Sequence, residues 1–416
     1  MNAVTNKTHN RLGLLSAKLF SDSASFAILV ASVSFIYLSS QSVAVTALFY
    51  GARIVGIFIG SLLAPLYYRR FNRKAGVGRI DFVRAALVAV LIFLPLTGKM
   101  IFCLPVISLL LGAGHSLFSI GVNMSAPRLF AAEALLNVNA QLVLMSSLGV
   151  VVGSLCGGIV LAIFSVQTVF AMIALAYFAS FIAMTQIDAV QLSEPTPTLA
   201  PTAQQKPKYL QQFTQVREFA QQNPVWKMIL LLAFVDTLGS SAHNVGKPIL
   251  AKLIDPANAS TVMGAILAAW ALGRFLGARG ARSVGSMGSM GSTGNLLERC
   301  FFVGVLLMST SFITLFFQSD WRWAVIVAVF AGAGDGLAEV ALVTMAQKSH
   351  EDVRLSLLSF VMSSQYLGFS IGVLLCTPVF GYFSHPATVV ALFHALPILL
   401  SSTYLLKAGT AEVQRT

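Results

Sequence analysis

Gly149-Val-Val-Val-Gly153-Ser-Leu-Cys-Gly157-Gly158 sits inside an apolar run that extends from Leu142 to Phe164. Gly149, Gly153 and Gly157 recur every four residues, so a helix carries them as one smooth stripe. Helices that associate in lipid gain most from close backbone contact, and a glycine stripe provides it. The stretch therefore predicts a membrane helix with another helix pressed against it, and the rest of the chain can be read as what surrounds that helix.

Composition agrees with lipid as the solvent. Of 416 residues, 56% are hydrophobic and 10% charged, and the mean hydropathy is +0.80. About a quarter of the residues of a soluble domain are charged. Twelve apolar runs of spanning length fall near 14–38, 43–67, 80–97, 101–124, 142–164, 168–187, 225–250, 260–279, 300–317, 323–346, 355–381 and 387–406. Irregular backbone cannot face hydrocarbon, so each is expected to be a helix. The polar start, Met1 to Arg11, leads into a run too long for a cleaved signal and is read as preceding the first span. Cys103, Cys156, Cys300 and Cys376 show no metal or disulfide spacing and read as small packing residues.

The net charge of +12 is distributed by side. With the N-terminus inside, 19 of the 27 Lys and Arg fall in cytoplasmic segments and three (Lys99, Lys252 and Arg322) in external ones. That asymmetry places both termini in the cytoplasm and makes a nucleic-acid partner unnecessary. Between Asp188 and Pro224 the composition turns to Pro, Thr and Gln, which reads as a flexible or extended linker. It divides the chain into a six-helix bundle at 1–187, a cytoplasmic linker at 188–224 and a second six-helix bundle at 225–416. A Gly-Ser-Met segment from Ser283 reads as a spacer between spans eight and nine.

The two halves repeat. Phe20-Ser-Asp22 returns as Phe234-Val-Asp236, and Gly56-x-x-x-Gly60 as Gly273-x-x-x-Gly277. Gly112-Ala-Gly-His115 returns as Gly332-Ala-Gly-Asp335, and Gly149-x-x-x-Gly153 as Gly368-x-x-x-Gly372. The four offsets are 214, 217, 220 and 219, in order along the chain. Duplicated halves around a midplane site are a transporter plan. The fold expected is an all-α integral membrane protein of twelve transmembrane helices in two pseudo-symmetric halves.

The glycine stripe resembles the antiporter motif on the fifth helix of exporters in the major facilitator superfamily, with Ser154 where that family has proline. Gly60-Ser-Leu-Leu-Ala64, Arg70-Phe-Asn-Arg73-Lys74 and Asp81-Phe-Val-Arg84 resemble the family's inner-gate loop after span two, without the acid that normally precedes Arg70. Ala131-Ala-Glu133 through Asn139-Ala140 resembles the lead into span five in the drug and siderophore exporter branch. The resemblance implies alternating access, proton antiport and outward transport of a small molecule. A siderophore is the first cargo it suggests, a drug or toxic metabolite the second, and nutrient or siderophore uptake the remaining option. It implies a protein of the bacterial inner membrane that acts as a monomer.

Charges inside spans are functional candidates by default. Asp22, Asp236, Asp335 and Glu339 are the proton-coupling candidates. Lys18 stands one turn from Asp22, so the two can pair. Asp335 and Glu339 share a helix face with like sign, and two such acids resist joint ionisation. The alternative gives each a basic partner on another helix, Arg53 or Arg84. Arg53 lies mid-span with no acid at helical spacing, and its fork suits an anion. With Lys18, Tyr50, His115, Trp270 and Tyr366 it forms the set of substrate-contact candidates. Asp81 and Arg84 are expected to pair near the cytoplasmic face, Arg274 to snorkel from the inner end of span eight, and His115 and His243 to pack or to relay protons. The chain has no phosphate-binding loop ending in Gly-Lys-Ser/Thr, no HExxH and no nucleophile elbow, so no cofactor, metal or enzymatic activity is expected.

Overall fold

The computed structural model describes residues 2–40, 43–71, 73–93, 98–187, 211–287, 293–383 and 385–413. Among these are thirteen helices and no strand. They are α1 (Asn2–Ser40), α2 (Val43–Arg70), α3 (Arg73–Phe93), α4 (Gly98–Leu129), α5 (Leu135–Ile163), α6 (Val166–Thr185), α7 (Gln211–Gln222), α8 (Pro224–Ile254), α9 (Ala259–Met287), α10 (Thr293–Phe316), α11 (Trp321–Lys348), α12 (Glu351–Tyr382) and α13 (Pro386–Val413).

All but α7 are long, and they answer one for one to the twelve apolar runs. Eleven of the twelve are long and apolar enough to cross a membrane. The other, α3, carries Arg73, Lys74, Arg79, Asp81 and Arg84 in 21 residues. That length rises about 31 Å, enough for a hydrocarbon core of about 30 Å. Asp81 and Arg84 are buried, whereas Arg79 is exposed.

Two boundaries differ from the sequence reading. The first helix begins at Asn2, well before the apolar run, because nothing in the polar segment breaks a helix. The 188–224 linker is not wholly extended: its last third forms α7, which buries Val216 and Ala220. Gln215 Oε1 accepts a hydrogen bond of 2.8 Å from Ser356 Oγ. Residues 188–210 of the linker and 288–292 of the Gly-Ser-Met spacer lie outside the described residues.

The chain forms two compact units. Unit 1 is Met1–Val138, Leu148–Glu218 and Ser349–Ser363; unit 2 is Asn139–Ser147, Phe219–Lys348 and Ser364–Thr416. In unit 1, α2 packs on α4 and α6 packs on α1 and α3. Ile28, Val88, Leu91, Phe170 and Tyr177 form the centre of its core. Ser61 Oγ meets Ser363 Oγ at 2.7 Å, and Arg128 pairs with Glu351 at 2.6 Å. In unit 2, α11 packs on α9 and α10, and α13 packs on α8 and α10, around Ile266, Phe312, Leu315 and Val390. Asn139 Nδ2 donates to Thr344 Oγ1 at 2.8 Å and to Gln347 Oε1 at 2.7 Å.

The repeated glycines are the contacts that hold each unit. A Cβ on Gly157 would fall 2.7 Å from the Ala27 carbonyl oxygen, and one on Gly153 would meet the Ser23 backbone at 3.0 Å. The stripe on α5 thus lies against α1. The repeat behaves likewise, with Gly368 and Gly372 of α12 against Phe234 and Leu238 of α8. Gly56 and Gly60 of α2 meet Leu109 and Ala113 of α4, and Gly273 and Gly277 of α9 meet Val329 and Ala333 of α11. The surroundings of Gly158, at the end of the stripe, lie outside the described residues.

This arrangement sets opposite signs for one substitution at two positions in α9. A Cβ on Gly277 would stand 2.7 Å from the Ala333 carbonyl carbon, whereas Gly264 has nothing within 4 Å. Gly277→Ala forces two backbones apart and is expected to cost about 1–3 kcal/mol. Gly264→Ala stiffens the unfolded chain and is expected to gain about 0.5–1 kcal/mol. Thermal unfolding of the two purified variants measures both signs, and equal shifts would show that backbone contact does not hold α9 to α11.

Candidate functional site

Each unit has its own polar centre. In unit 1 it forms around Arg84, which is 1% exposed, beside Asp81 at 0%. Arg84 Nη1 donates to Asp81 Oδ1 at 2.7 Å and to Ser21 Oγ at 2.9 Å. Its Nη2 donates to Tyr177 Oη at 2.7 Å and to Ser25 Oγ, and the guanidinium carbon lies 4.1 Å from the centre of the Tyr177 ring. Ser180 Oγ donates to Asp81 Oδ2 at 2.5 Å. Gly114 makes room for the arginine, since a Cβ there would come within 2.7 Å of Arg84 Cδ.

The expected Asp81–Arg84 pair is therefore present, but its setting differs from an inner-gate loop. Both residues lie well inside α3 and are sealed by α1, α4 and α6. The cause is a polar lining of Ser21, Ser25, Tyr177 and Ser180 that gives a buried ion pair the partners it needs. Of the other residues assigned to that loop, Arg70 is exposed at the end of α2, and the side chains of Arg73 and Lys74 at the start of α3 lie outside the described residues.

Lys18 and Asp22 pair at 3.0 Å on α1, with Asp22 1% exposed. The glycine stripe positions this acid directly, because a Cβ on Gly149 would stand 2.8 Å from Asp22 Cβ. Arg53 is buried and donates through Nη2 to the Ser25 carbonyl oxygen at 3.1 Å. His115 Nδ1 stands 3.4 Å from Ser25 Oγ. Ser25 of α1 thus collects contacts from Arg53 of α2, Arg84 of α3, His115 of α4 and Tyr177 of α6 (3.2 Å between hydroxyls), so four helices meet on it. Tyr50, one turn before Arg53, is 42% exposed.

In unit 2 the centre is Arg274. It pairs through Nε with Asp335 at 3.2 Å and through Nη2 with Glu339, and its guanidinium carbon lies 5.0 Å from the centre of the Trp270 ring. Two expectations are corrected here. Arg274 is buried and does not snorkel, and it replaces Arg53 and Arg84 as the basic partner of Asp335 and Glu339. The reason is the glycine contact: a Cβ on Gly336 would sit 2.9 Å from Arg274 Cα. With the backbones that close, the Arg274 side chain has to lie between positions 335 and 339 of α11.

Asp236 on α8 is the repeat partner of Asp22, but no lysine stands one turn before it. Its Oδ1 is buried with no hydrogen-bond partner among the described residues, and the charge that acts on it is that of Asp335, of like sign. Lys247 is buried on the same helix. Its Nζ lies 3.0 Å from Asn244 Oδ1, 5.8 Å from the centre of the Trp270 ring and 5.5 Å from that of Phe312. Tyr366 on α12 is half-buried and accepts a backbone hydrogen bond of 2.7 Å from Ser370 Oγ.

The structure therefore brings Asp335, Glu339, Trp270 and Arg274 together and leaves Asp236 next to them electrostatically. Sequence reasoning missed Ser25, Tyr177, Ser180, Asn244, Ser309 and His394. A serine four residues after Ser21 and a serine three residues after Tyr177 were the only local signals. Among the described residues no group of three His, Cys, Asp or Glu could hold a metal ion. Chemically, the polar centre of unit 1 sets Asp22 and Asp81 against Lys18, Arg53 and Arg84, and that of unit 2 sets Asp236, Asp335 and Glu339 against Arg274 and Lys247.

The fold and these intramembrane charges are those of a membrane carrier, and the comparisons with known proteins agree. No curated protein matches the chain in sequence. The human organic anion transporter MFSD10 (TETRAN) superposes with a TM-score of 0.74 at 13% identity, over 94% of this chain and 99% of that one. A bacterial homologue of the iron transporter ferroportin, in an outward-facing state, gives 0.67 at 19% identity, over 96% and 98%. The fucose:proton symporter FucP of E. coli gives 0.62 at 16% identity, over 94% and 98%. At these identities the likeness shows the fold. The family model described as Major Facilitator Superfamily matches residues 15–372, so the chain belongs to that superfamily and is a multi-pass transporter, not an enzyme.

Proposed function

We propose that this transporter exports a small polar metabolite in exchange for protons, with a carboxylate- or hydroxamate-type siderophore as the first cargo to test. The observation that carries the reading is the excess of acid at the polar centre of unit 2, where Asp236, Asp335 and Glu339 stand with Arg274 and Lys247. Asp335 and Glu339 share one guanidinium, and among the described residues Asp236 has neither a hydrogen bond at Oδ1 nor an ion-pair partner. Neighbouring acids that outnumber their cations resist joint ionisation, and one added proton would balance this centre against Arg274 and Lys247. Proton arrival and departure then change the charge of the site, and only a difference of this kind between two states can drive a cycle.

In this reading the halves 1–187 and 225–416 move against each other about the 188–224 linker, with both termini in the cytoplasm of a bacterium and the protein working as a monomer. Support for export comes from the α5 glycine stripe, which resembles the antiporter motif and lies on α1 beside Asp22. Ten intramembrane charges of both signs favour a polar cargo over a greasy one. The named cargoes of the structural relatives (an organic anion, iron, fucose) are compatible with polar cargo in this fold and decide nothing further.

Metabolite profiles of a deletion strain, grown with and without iron limitation, test the reading. An iron-chelating metabolite that accumulates inside the cell and falls outside it under iron limitation supports siderophore export. Accumulation of a cargo indifferent to iron selects drug or toxic-metabolite efflux instead. Faster uptake of any such cargo by cells that express the protein would reverse the direction.

A further inference from the structure

Helix α8 carries Asp236, Ser240, Asn244 and Lys247 at spacings of four, four and three, which puts them on one face. Eleven residues separate the acid from the lysine, or about 16 Å along the helix. Asn244 is exposed, and an exposed amide within a span faces water more cheaply than lipid. Unit 1 has no such stripe. With the offset of 214 that relates Asp236 to Asp22, the matching residues on α1 are Phe26, Val30 and Val33. The repeat keeps the glycine contacts in both halves and adds this polar face to one.

Behind Lys247 runs a hydrogen-bond chain whose direction can be worked out from what each group is able to donate. A lysine ammonium only donates, so Asn244 Oδ1 accepts from Nζ at 3.0 Å. Asn244 Nδ2 then donates to the Ser240 carbonyl oxygen at 2.8 Å and to His243 Nε2 at 3.2 Å. A neutral His243 with a bare Nε2 holds its proton on Nδ1, which donates to His394 Nε2 at 3.1 Å. His394 in turn holds its proton on Nδ1 and donates to Ser309 Oγ at 3.0 Å. Every donor meets an acceptor, and all point away from the lysine.

Both rings are buried, and Phe312 stacks on His243 with ring centres 3.4 Å apart. An extra proton on either ring would set one N–H against another, so the chain is built for two neutral imidazoles. Its product is a fixed Asn244 oxygen, and through it a fixed ammonium. Among the described residues Lys247 has no carboxylate within 4.0 Å; Asp335, whose charge reaches it, is engaged by Arg274. Among the described residues Asn244 is its one hydrogen-bond partner, which leaves two ammonium donors for a ligand.

We propose that Lys247 is an anion-recognition point of the transport site, held by the Asn244–His243–His394–Ser309 chain so that its ammonium receives a carboxylate of the cargo. The neighbouring Trp270 ring would lie against the apolar part of such a ligand. This rests on the reading of the cargo as a small polar metabolite and adds the group by which it is recognised.

The test uses the purified full-length protein, with citrate and benzoate as probes and benzamide as the uncharged control. The dissociation constant comes from the concentration dependence of thermal unfolding. At least one carboxylate is expected to stabilise the wild type, and benzamide is not. Lys247→Met should weaken that carboxylate by at least about tenfold, the scale of a lost charged hydrogen bond, and Lys247→Arg by less. Unfolding without probe reports whether each variant folds.

His394→Leu should erode the preference for benzoate over benzamide, whereas a purely structural histidine pair would lower the unfolding temperature and leave that preference intact. Carboxylate binding unchanged in Lys247→Met, or no stabilisation by either carboxylate, overturns the proposal. Proton coupling does not enter this assay. A protein that binds carboxylates through Lys247 yet moves cargo without regard to pH would refute the coupling and leave this inference standing.

Discussion

Arg84→Met should yield a protein that barely folds, with the largest loss of stability of any single substitution considered for this chain. Arg84 and Asp81 are both sealed from solvent, and the guanidinium makes hydrogen bonds to Asp81, Ser21, Ser25 and Tyr177. Removing one partner of a buried ion pair leaves a charge with neither water nor counter-ion, at a cost of about 3–5 kcal/mol. Asp81 keeps the Ser180 hydrogen bond, which offsets only part of that. The double variant Asp81→Asn/Arg84→Met removes the stranded charge and should recover most of the loss. Tyr177→Phe should cost about 1 kcal/mol, the scale of one hydrogen bond. Thermal unfolding in detergent ranks the three. A single variant as stable as the wild type would show that the Asp81–Arg84 pair does not hold α3 to its neighbours.

The second large effect is on coupling and leaves stability nearly untouched. Asp236→Asn keeps the size of the side chain, removes a buried carboxyl whose Oδ1 has no hydrogen bond to lose, and takes away the charge that acts against Asp335. The polar centre of unit 2 then holds Asp335 and Glu339 with Arg274 and Lys247, balanced without a proton. In reconstituted vesicles, cargo exchange at equal pH should persist, while accumulation driven by a pH difference should fall at least about tenfold, which corresponds to about 1.4 kcal/mol of lost linkage. Glu339→Gln should act in the same direction but less strongly, because Arg274 retains Asp335. Accumulation that survives in Asp236→Asn would move the proton site elsewhere, and Asp22 is then the next acid to replace.

What the sequence made legible follows from what glycine and charge do physically. The stripe at Gly149, Gly153 and Gly157, and its repeat at Gly368 and Gly372, could be read because close helix contact requires the absence of a Cβ. Asp81 with Arg84, and Lys18 with Asp22, could be read because one helical turn brings each pair into reach. The partner of Asp335 and Glu339 could not. It depends on how α9 is rotated against α11, where the Arg274 backbone lies against Gly336 and its side chain reaches both acids. The His243–His394 contact spans 151 residues and has no local signature. Helix α7 was masked by a proline-rich stretch before it, although Phe213, Val216 and Ala220 already fall on one face. Helix α3 starts before its apolar run because Arg73, Lys74, Arg79, Asp81 and Arg84 interrupt the pattern that marks the other spans.

One measurement tests the proton-driven cycle most directly: the pH inside reconstituted vesicles recorded while cargo moves down its own gradient. Exchange for protons predicts that internal pH rises as cargo enters the vesicles and falls as cargo leaves, in the wild type and not in Asp236→Asn. Cargo that crosses with no pH change, at the same rate in both proteins, would contradict the account.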